Sequence, residues 1–212
     1  MTTPLSPSHA LYVSNAEDGD LSLYHLDAAA ARLAPVSRSA AGDVVMPQAL
    51  SADGKRLYVA TRGAQPSIVA YEIGPLGRLE PRFSTPIDAS LCYLTIDRES
   101  RLLFGASYGG NRLFVFNEAR LAAGDGTPLQ FIDRIQNAHA IILSDDDRYA
   151  YATSLGSDRI LFYGIARDGE EAALIARGEV QAPAGFGPRR TAQRCTCSGN
   201  SMRACSRSRV IR

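Results

Sequence analysis

The chain has 212 residues, a formal net charge of +1, 45% hydrophobic and 21% charged residues. That balance excludes wholesale disorder, and the near-neutral charge gives no ground for expecting nucleic acid or a membrane as partner. No run of 18 apolar residues could form a transmembrane helix, and Met1-Thr2-Thr3-Pro4-Leu5-Ser6 lacks the basic and apolar regions of a secretory signal, so the expected location is cytoplasmic.

Along the chain the first strand signal is Ala10-Leu11-Tyr12-Val13-Ser14-Asn15, and the same pattern returns three times. It aligns with Arg56-Leu57-Tyr58-Val59-Ala60-Thr61, Arg101-Leu102-Leu103-Phe104-Gly105-Ala106 and Arg148-Tyr149-Ala150-Tyr151-Ala152-Thr153, at steps of about 46 residues. A second strand follows each: Leu21 to Leu26, Ile68 to Ile73, Arg112 to Phe116 and Arg159 to Tyr163. Tight polar turns join the two, as in Asp18-Gly19-Asp20, Gly109-Gly110-Asn111 and Gly156-Ser157-Asp158. Third strands are expected at Leu33 to Val36, Leu79 to Phe83, Leu129 to Ile132 and Ala173 to Ala176. A further strand is expected before the turn that opens each repeat, at Ala49-Leu50, Tyr93 to Ile96 and Ala140 to Leu143. Asn117 to Ala123 is the one stretch suited to a short helical turn.

Four antiparallel strands per unit of about 46 residues predict an all-β protein, a β-propeller rather than a parallel β-helix. About four four-stranded blades are expected, at roughly 9–48, 49–93, 94–140 and 141–189, with residues 190–212 outside them.

The blade pattern around Ser51, Asp53 and Arg56-Leu57-Tyr58-Val59, followed by an I-x-x-Y strand, resembles the seven-bladed lactonase family. That family includes bacterial 6-phosphogluconolactonases of the propeller type and fungal carboxymuconate-lactonizing enzymes. Three local matches add to the resemblance: Ser107-Tyr108-Gly109-Gly110-Asn111 in the third blade, Asn137-Ala138-His139-Ala140 before the outer turn of the fourth with Arg148 nine residues on, and Gly185-Phe186-Gly187-Pro188-Arg189. Asp158-Arg159-Ile160 stands where the family shows D-R-I.

The resemblance implies a lactone (carboxylic ester) hydrolase acting on a small anionic sugar lactone, most directly 6-phosphogluconolactone to 6-phosphogluconate in the pentose phosphate pathway. It implies a metal-independent site with no cofactor, built from His, Arg and a Glu of the next blade. Hydrolysis of such an ester needs a water made nucleophilic by a base and support for the oxyanion that forms. His139 is the candidate for the acid/base or polarising group, since imidazole ordinarily titrates near about pH 6.5. Arg189 is the candidate catalytic and substrate-binding cation, because guanidinium captures phosphate or carboxylate through paired N–H donors. Ser107, Tyr108, Asn111 and Asp158 are candidate substrate-binding residues, with turn formation as their ordinary alternative role. His9 and His25 carry no motif. Two other functions fit the same scaffold: a carboxymuconate-type lactonizing cycloisomerase and a non-catalytic interaction module. Oligomeric state is not legible.

After Arg189 the pattern ends. The family signature would continue with His, and this chain has Arg190. Residues 190–212 hold many Arg, no acid, and three of the four cysteines, Cys195, Cys197 and Cys205. Their spacing lacks the C-x2–4-C pairs and four ligands of a zinc site. Back-translated with a shifted frame, the tail can read A-L-Y-V-L-G-E-L-D-A-x-V, which restores the register of Asp53 to Val59 and supplies the expected Glu. The expectation is a frameshift just after Arg189, a disordered basic tail, and a chain impaired or inactive because only four blades are present.

Overall fold

The computed structural model of the chain describes residues 9–169 and 171–181. Four antiparallel sheets follow one another along the sequence. The first holds β1 (His9–Asn15), β2 (Asp20–Asp27) and β3 (Arg32–Ala40), and the second β4 (Gln48–Leu50), β5 (Arg56–Ala60), β6 (Ser67–Ile73) and β7 (Leu79–Pro86). The third holds β8 (Tyr93–Ile96), β9 (Leu102–Ser107), β10 (Arg112–Asn117) and β11 (Gln130–Ile132), with α1 (Glu118–Ala122) inserted before β11. The fourth holds β12 (Ala138–Leu143), β13 (Tyr149–Ser154), β14 (Arg159–Asp168) and β15 (Glu171–Gln181). Within each sheet the strands lie in chain order, as successive hairpins dictate.

The sheets stack face to face because their strands alternate with period two. Leu57 and Val59 on β5 pack with Leu21, Val69 and Tyr71 in the core between the first and second sheets. Tyr58 and Ala60, one residue out of phase, join Leu91, Leu103, Phe114 and Phe116 between the second and third. Leu102, Phe104 and Ala106 turn the other way, to Ile141, Ala150, Ala152 and Leu174 of the fourth. Every residue of β9 is therefore buried. Leu91 packs so closely over β9 that a Cβ on Gly105 would stand 2.8 Å from its Cδ1, so any larger residue there must displace the Leu91 side chain. Among the described residues the two end sheets are covered on one face only, with Leu11 and Val13 at one end and Ile142, Ile160 and Val180 at the other exposed.

The turn that opens each repeat has a shared chemistry. Ser51 Oγ donates to Asp53 (2.6 Å) and accepts from the N–H of Arg56, and Ser144 does the same with Asp146 and the N–H of Tyr149. In the third sheet Asp97 replaces the serine and accepts from the N–H groups of Arg101 and Leu102.

Three expectations are corrected. The first sheet has three strands, not four, among the described residues: β1 is the counterpart of β5, and β4 has no counterpart beside it. The blade boundaries at 48/49, 93/94 and 140/141 cut into inner strands, since β4, β8 and β12 begin at 48, 93 and 138. The repeat alignment on Arg56, Arg101 and Arg148 is one residue out. Equivalent ladder positions pair Leu57 with Tyr71, Leu103 with Phe116 and Ala150 with Tyr163, so Leu57 matches Leu103 and Ala150. Arg101 and Arg148 therefore stand with Lys55, and the slip matters because one residue exchanges the two faces of a strand.

Candidate active site

The end of the stack where β4, β8 and β12 begin and β5, β9 and β13 finish carries the residues singled out in the sequence; we call it the upper face. With the register corrected, two sets of equivalent positions meet there. Met46, Cys92 and His139 lead into the three inner strands: the N–H of Met46 donates to Ala60 O and that of Cys92 to Ala106 O. Tyr108 and Leu155 follow β9 and β13 directly, and Arg62 follows β5 after Thr61.

His139 is exposed, and it owes its position to a β-bulge. The β12–β13 register runs from Ala138 opposite Ser154 to Ala140 opposite Thr153, leaving His139 as the unpaired extra residue. Its ring meets that of Tyr108 edge to face, with centroids 6.0 Å apart. Thr153 Oγ1 accepts from the N–H of Ala140 and pins the strand just beyond the bulge.

Cys92 fills the space beneath. Its Sγ lies 3.4 Å from the carbonyl oxygens of Ala106 and Ala138 and 3.5 Å from that of His139. Burial pushes this thiol up, against the opposing effects of the Tyr108 backbone and the nearby charge of Arg62. Ser107 is buried; its Oγ donates to Ser90 O (2.8 Å) and accepts from the N–H of Gly110. Ser154 Oγ donates likewise to Gln136 O (2.7 Å), so this serine is a recurrent clasp on the loop that precedes the inner strand.

Asn111 and Asp158 hold the left-handed corner of their hairpins, with φ of 55° and 51°. Short polar side chains tolerate that conformation, which accounts for the residue type at both positions. Asn111 Oδ1 also accepts from the N–H of Asn137, two residues from His139, tying the third sheet to the fourth. The structure thus groups Ser107, Tyr108 and His139, places Asn111 beside the His139 loop, and puts Asp158 on the next hairpin. Arg189 and residues 190–212, with the frame shift inferred there, lie outside the described residues. Arg62 had no motif to mark it; only its equivalence to Tyr108 brings it to this face.

A family model for lactonase, 7-bladed β-propeller, matches residues 10–194. This chain belongs to that family. The lactonase family match covers all four sheets and stops shortly after Arg189. Among curated proteins the chain is similar to the 6-phosphogluconolactonases of Photorhabdus laumondii (33% identical over 150 residues, 70% of this chain and 44% of that protein) and Yersinia pestis (26% over 190 residues, 86% and 54%). It thus spans about half the length of the curated relatives it matches. Among solved structures it resembles the periplasmic gluconolactonase PpgL of Pseudomonas aeruginosa (TM-score 0.63, 21% identity, 79% of this chain and 51% of that one) and a protein from Lactobacillus plantarum (TM-score 0.66, 21% identity, 86% and 54%). These likenesses show the lactonase propeller fold.

Proposed function

We propose that the chain carries part of the site of a lactonase that hydrolyses 6-phosphogluconolactone to 6-phosphogluconate in the pentose phosphate pathway. The observation that carries the reading is His139: an exposed imidazole set on a bulge at the start of an inner strand and flanked by Tyr108, in a chain whose curated relatives are 6-phosphogluconolactonases. In that role His139 takes a proton from the attacking water or polarises the lactone carbonyl, and the Tyr108 ring fixes the imidazole's tilt. Arg189 is the proposed cation for the substrate anion or the developing oxyanion. The free, half-buried thiol of Cys92 accords with a reducing compartment, the cytoplasm.

The proposal extends to the activity of the chain as it stands. Among the described residues its end sheets present open apolar faces, and the resemblance assigns the site a Glu from a further blade, so turnover is expected to be low. The test is a titration of the chain with 6-phosphogluconate, followed through the His139 imidazole signals, alongside hydrolysis of 6-phosphogluconolactone by the wild type and His139→Gln. Movement of His139 with the product, and loss of residual hydrolysis in His139→Gln, supports the reading. A response to a carboxymuconate lactone alone points to the lactonizing cycloisomerase. No response to either, with hydrolysis unchanged in the variant, returns the chain to a non-catalytic interaction module.

A further inference from the structure

Arginines on this protein are mostly spent on carboxylates: Arg38 on Asp18 and Asp20, Arg112 on Asp133, Arg159 on Glu179. Arg62 differs. It is exposed, and no carboxylate of the described residues lies within ion-pair reach of it. It is nevertheless held in place. Its Nε donates to Ser90 Oγ at 2.8 Å, and the carbonyl of Ser90 accepts in turn from Ser107 Oγ at 2.8 Å. The turn behind it is fastened too, for the N–H groups of Arg62 and Gly63 both donate to the carbonyl oxygen of Asp43, at 3.1 and 3.2 Å. A guanidinium tethered through Nε keeps its two terminal nitrogens as a fork, the arrangement that accepts two oxygens of a phosphate or carboxylate.

The fold places this fork on the same face as His139, the upper face. Arg62 occupies in the second sheet the position that Tyr108 occupies in the third, and Tyr108 is in ring contact with His139. The loop between them is shared: Ser90, which Arg62 holds, lies two residues before Cys92, whose thiol is 3.5 Å from the backbone carbonyl oxygen of His139. A cation without a carboxylate partner adds little to the fold, yet this one is fixed by its bond to Ser90 on the face where the candidate site lies.

We propose that Arg62 is a substrate-binding residue of the upper face, taking the phosphate of a phosphorylated sugar acid or lactone through its two terminal nitrogens, with Ser90 and Ser107 as positioning residues. This rests on the functional reading above and deepens it by assigning the phosphate handle. The binding energy of such a remote handle orients the lactone carbonyl toward His139.

The experiment is a titration of the full chain with 6-phosphogluconate, gluconate and inorganic phosphate, read from the Arg62 Nε–H resonance and from calorimetry, in the wild type, Arg62→Ala, Arg62→Lys, Ser90→Ala and, as control, Arg32→Ala. 6-Phosphogluconate should shift Arg62 Nε–H. Arg62→Ala should weaken its binding at least tenfold, Arg62→Lys and Ser90→Ala by less, and Arg32→Ala not at all, while the weaker affinity for gluconate stays the same in all. Far-ultraviolet dichroism confirms that each variant is folded. Equal affinity of wild type and Arg62→Ala for 6-phosphogluconate overturns the assignment, as does the absence of any binding or an equal loss for gluconate. If 6-phosphogluconate moves His139 and Arg62→Ala leaves its affinity unchanged, the lactonase reading stands and the role of Arg62 falls. If 6-phosphogluconate shifts Arg62 Nε–H but leaves His139 unmoved, with hydrolysis the same in wild type and His139→Gln, the reverse holds.

Discussion

Glu118 joins the second sheet to the third, and removing it should uncouple them. The carboxylate is buried at the first turn of α1 and accepts from Arg82 (2.6 Å), Arg56 (3.3 Å) and the Tyr58 hydroxyl (3.0 Å), all three on the neighbouring sheet. Burial, with the Glu118 charge adding, pushes the Tyr58 hydroxyl well above its usual range, so it remains a donor throughout ordinary pH. Hydrogen bonds to charged groups are worth about 1.5–3 kcal/mol each, and breaking a buried pair costs about 3–5 kcal/mol. The Arg56 and Arg82 side chains keep 22% and 32% exposure and so recover some hydration, and Arg82 can fall back on Glu72 at 3.7 Å. The lower end applies: Glu118→Ala should destabilise the chain by about 3 kcal/mol. With a urea slope of about 2.5 kcal/mol/M, the midpoint falls by about 1.2 M. Glu118→Gln keeps an acceptor for Tyr58 and should lose about half as much. The double variant Glu118→Ala/Arg56→Ala should lose less than the sum of the single changes. A midpoint shift under about 0.3 M, or strict additivity with Arg56→Ala, would refute the clamp.

Gly105→Ala should cost about 1–3 kcal/mol in the same denaturation, because the new methyl meets buried Leu91, whereas Gly178→Ala, with nothing within 4 Å, should cost nothing. Burial, reinforced by the like charge of Asp97, raises the Asp147 carboxyl above its ordinary value. The folded chain then holds that proton more tightly than the unfolded one, so stability falls as pH rises through the raised value; Asp147→Asn should flatten this slope, and an unchanged profile would remove Asp147 as its source. Leu11→Lys and Ile160→Lys lie on the open faces of the end sheets and should reduce self-association in light scattering while changing stability by no more than about 0.5 kcal/mol.

The strands, their antiparallel pairing and the β-propeller class were legible because each signal is local. Alternating apolar residues mark the strands, and Asp, Asn and Gly corners mark the hairpins. The short helix after Asn117 was legible for the same reason, its Asn117 side chain accepting from the N–H of Arg120 as an N-cap. His139 became a candidate only through a resemblance, since neither its spacing nor its neighbours along the chain distinguish it from a histidine on an ordinary strand.

Register and convergence belong to the tertiary structure. Arg56, Arg101 and Arg148 look alike in the sequence, but the turns place the latter two with Lys55, and only the ladder partners Tyr71, Phe116 and Tyr163 reveal it. The bulge that frees His139 depends on how β12 pairs with β13. Arg62 and His139 are 77 positions apart and lie on one face because three sheets stack so that equivalent strand ends share it. The sequence by itself determined which segments are strands and where each turns, since those depend on residues a few places apart. Which side chains meet across sheets was decided by packing, because a one-residue change of register reverses every face and no local pattern records it.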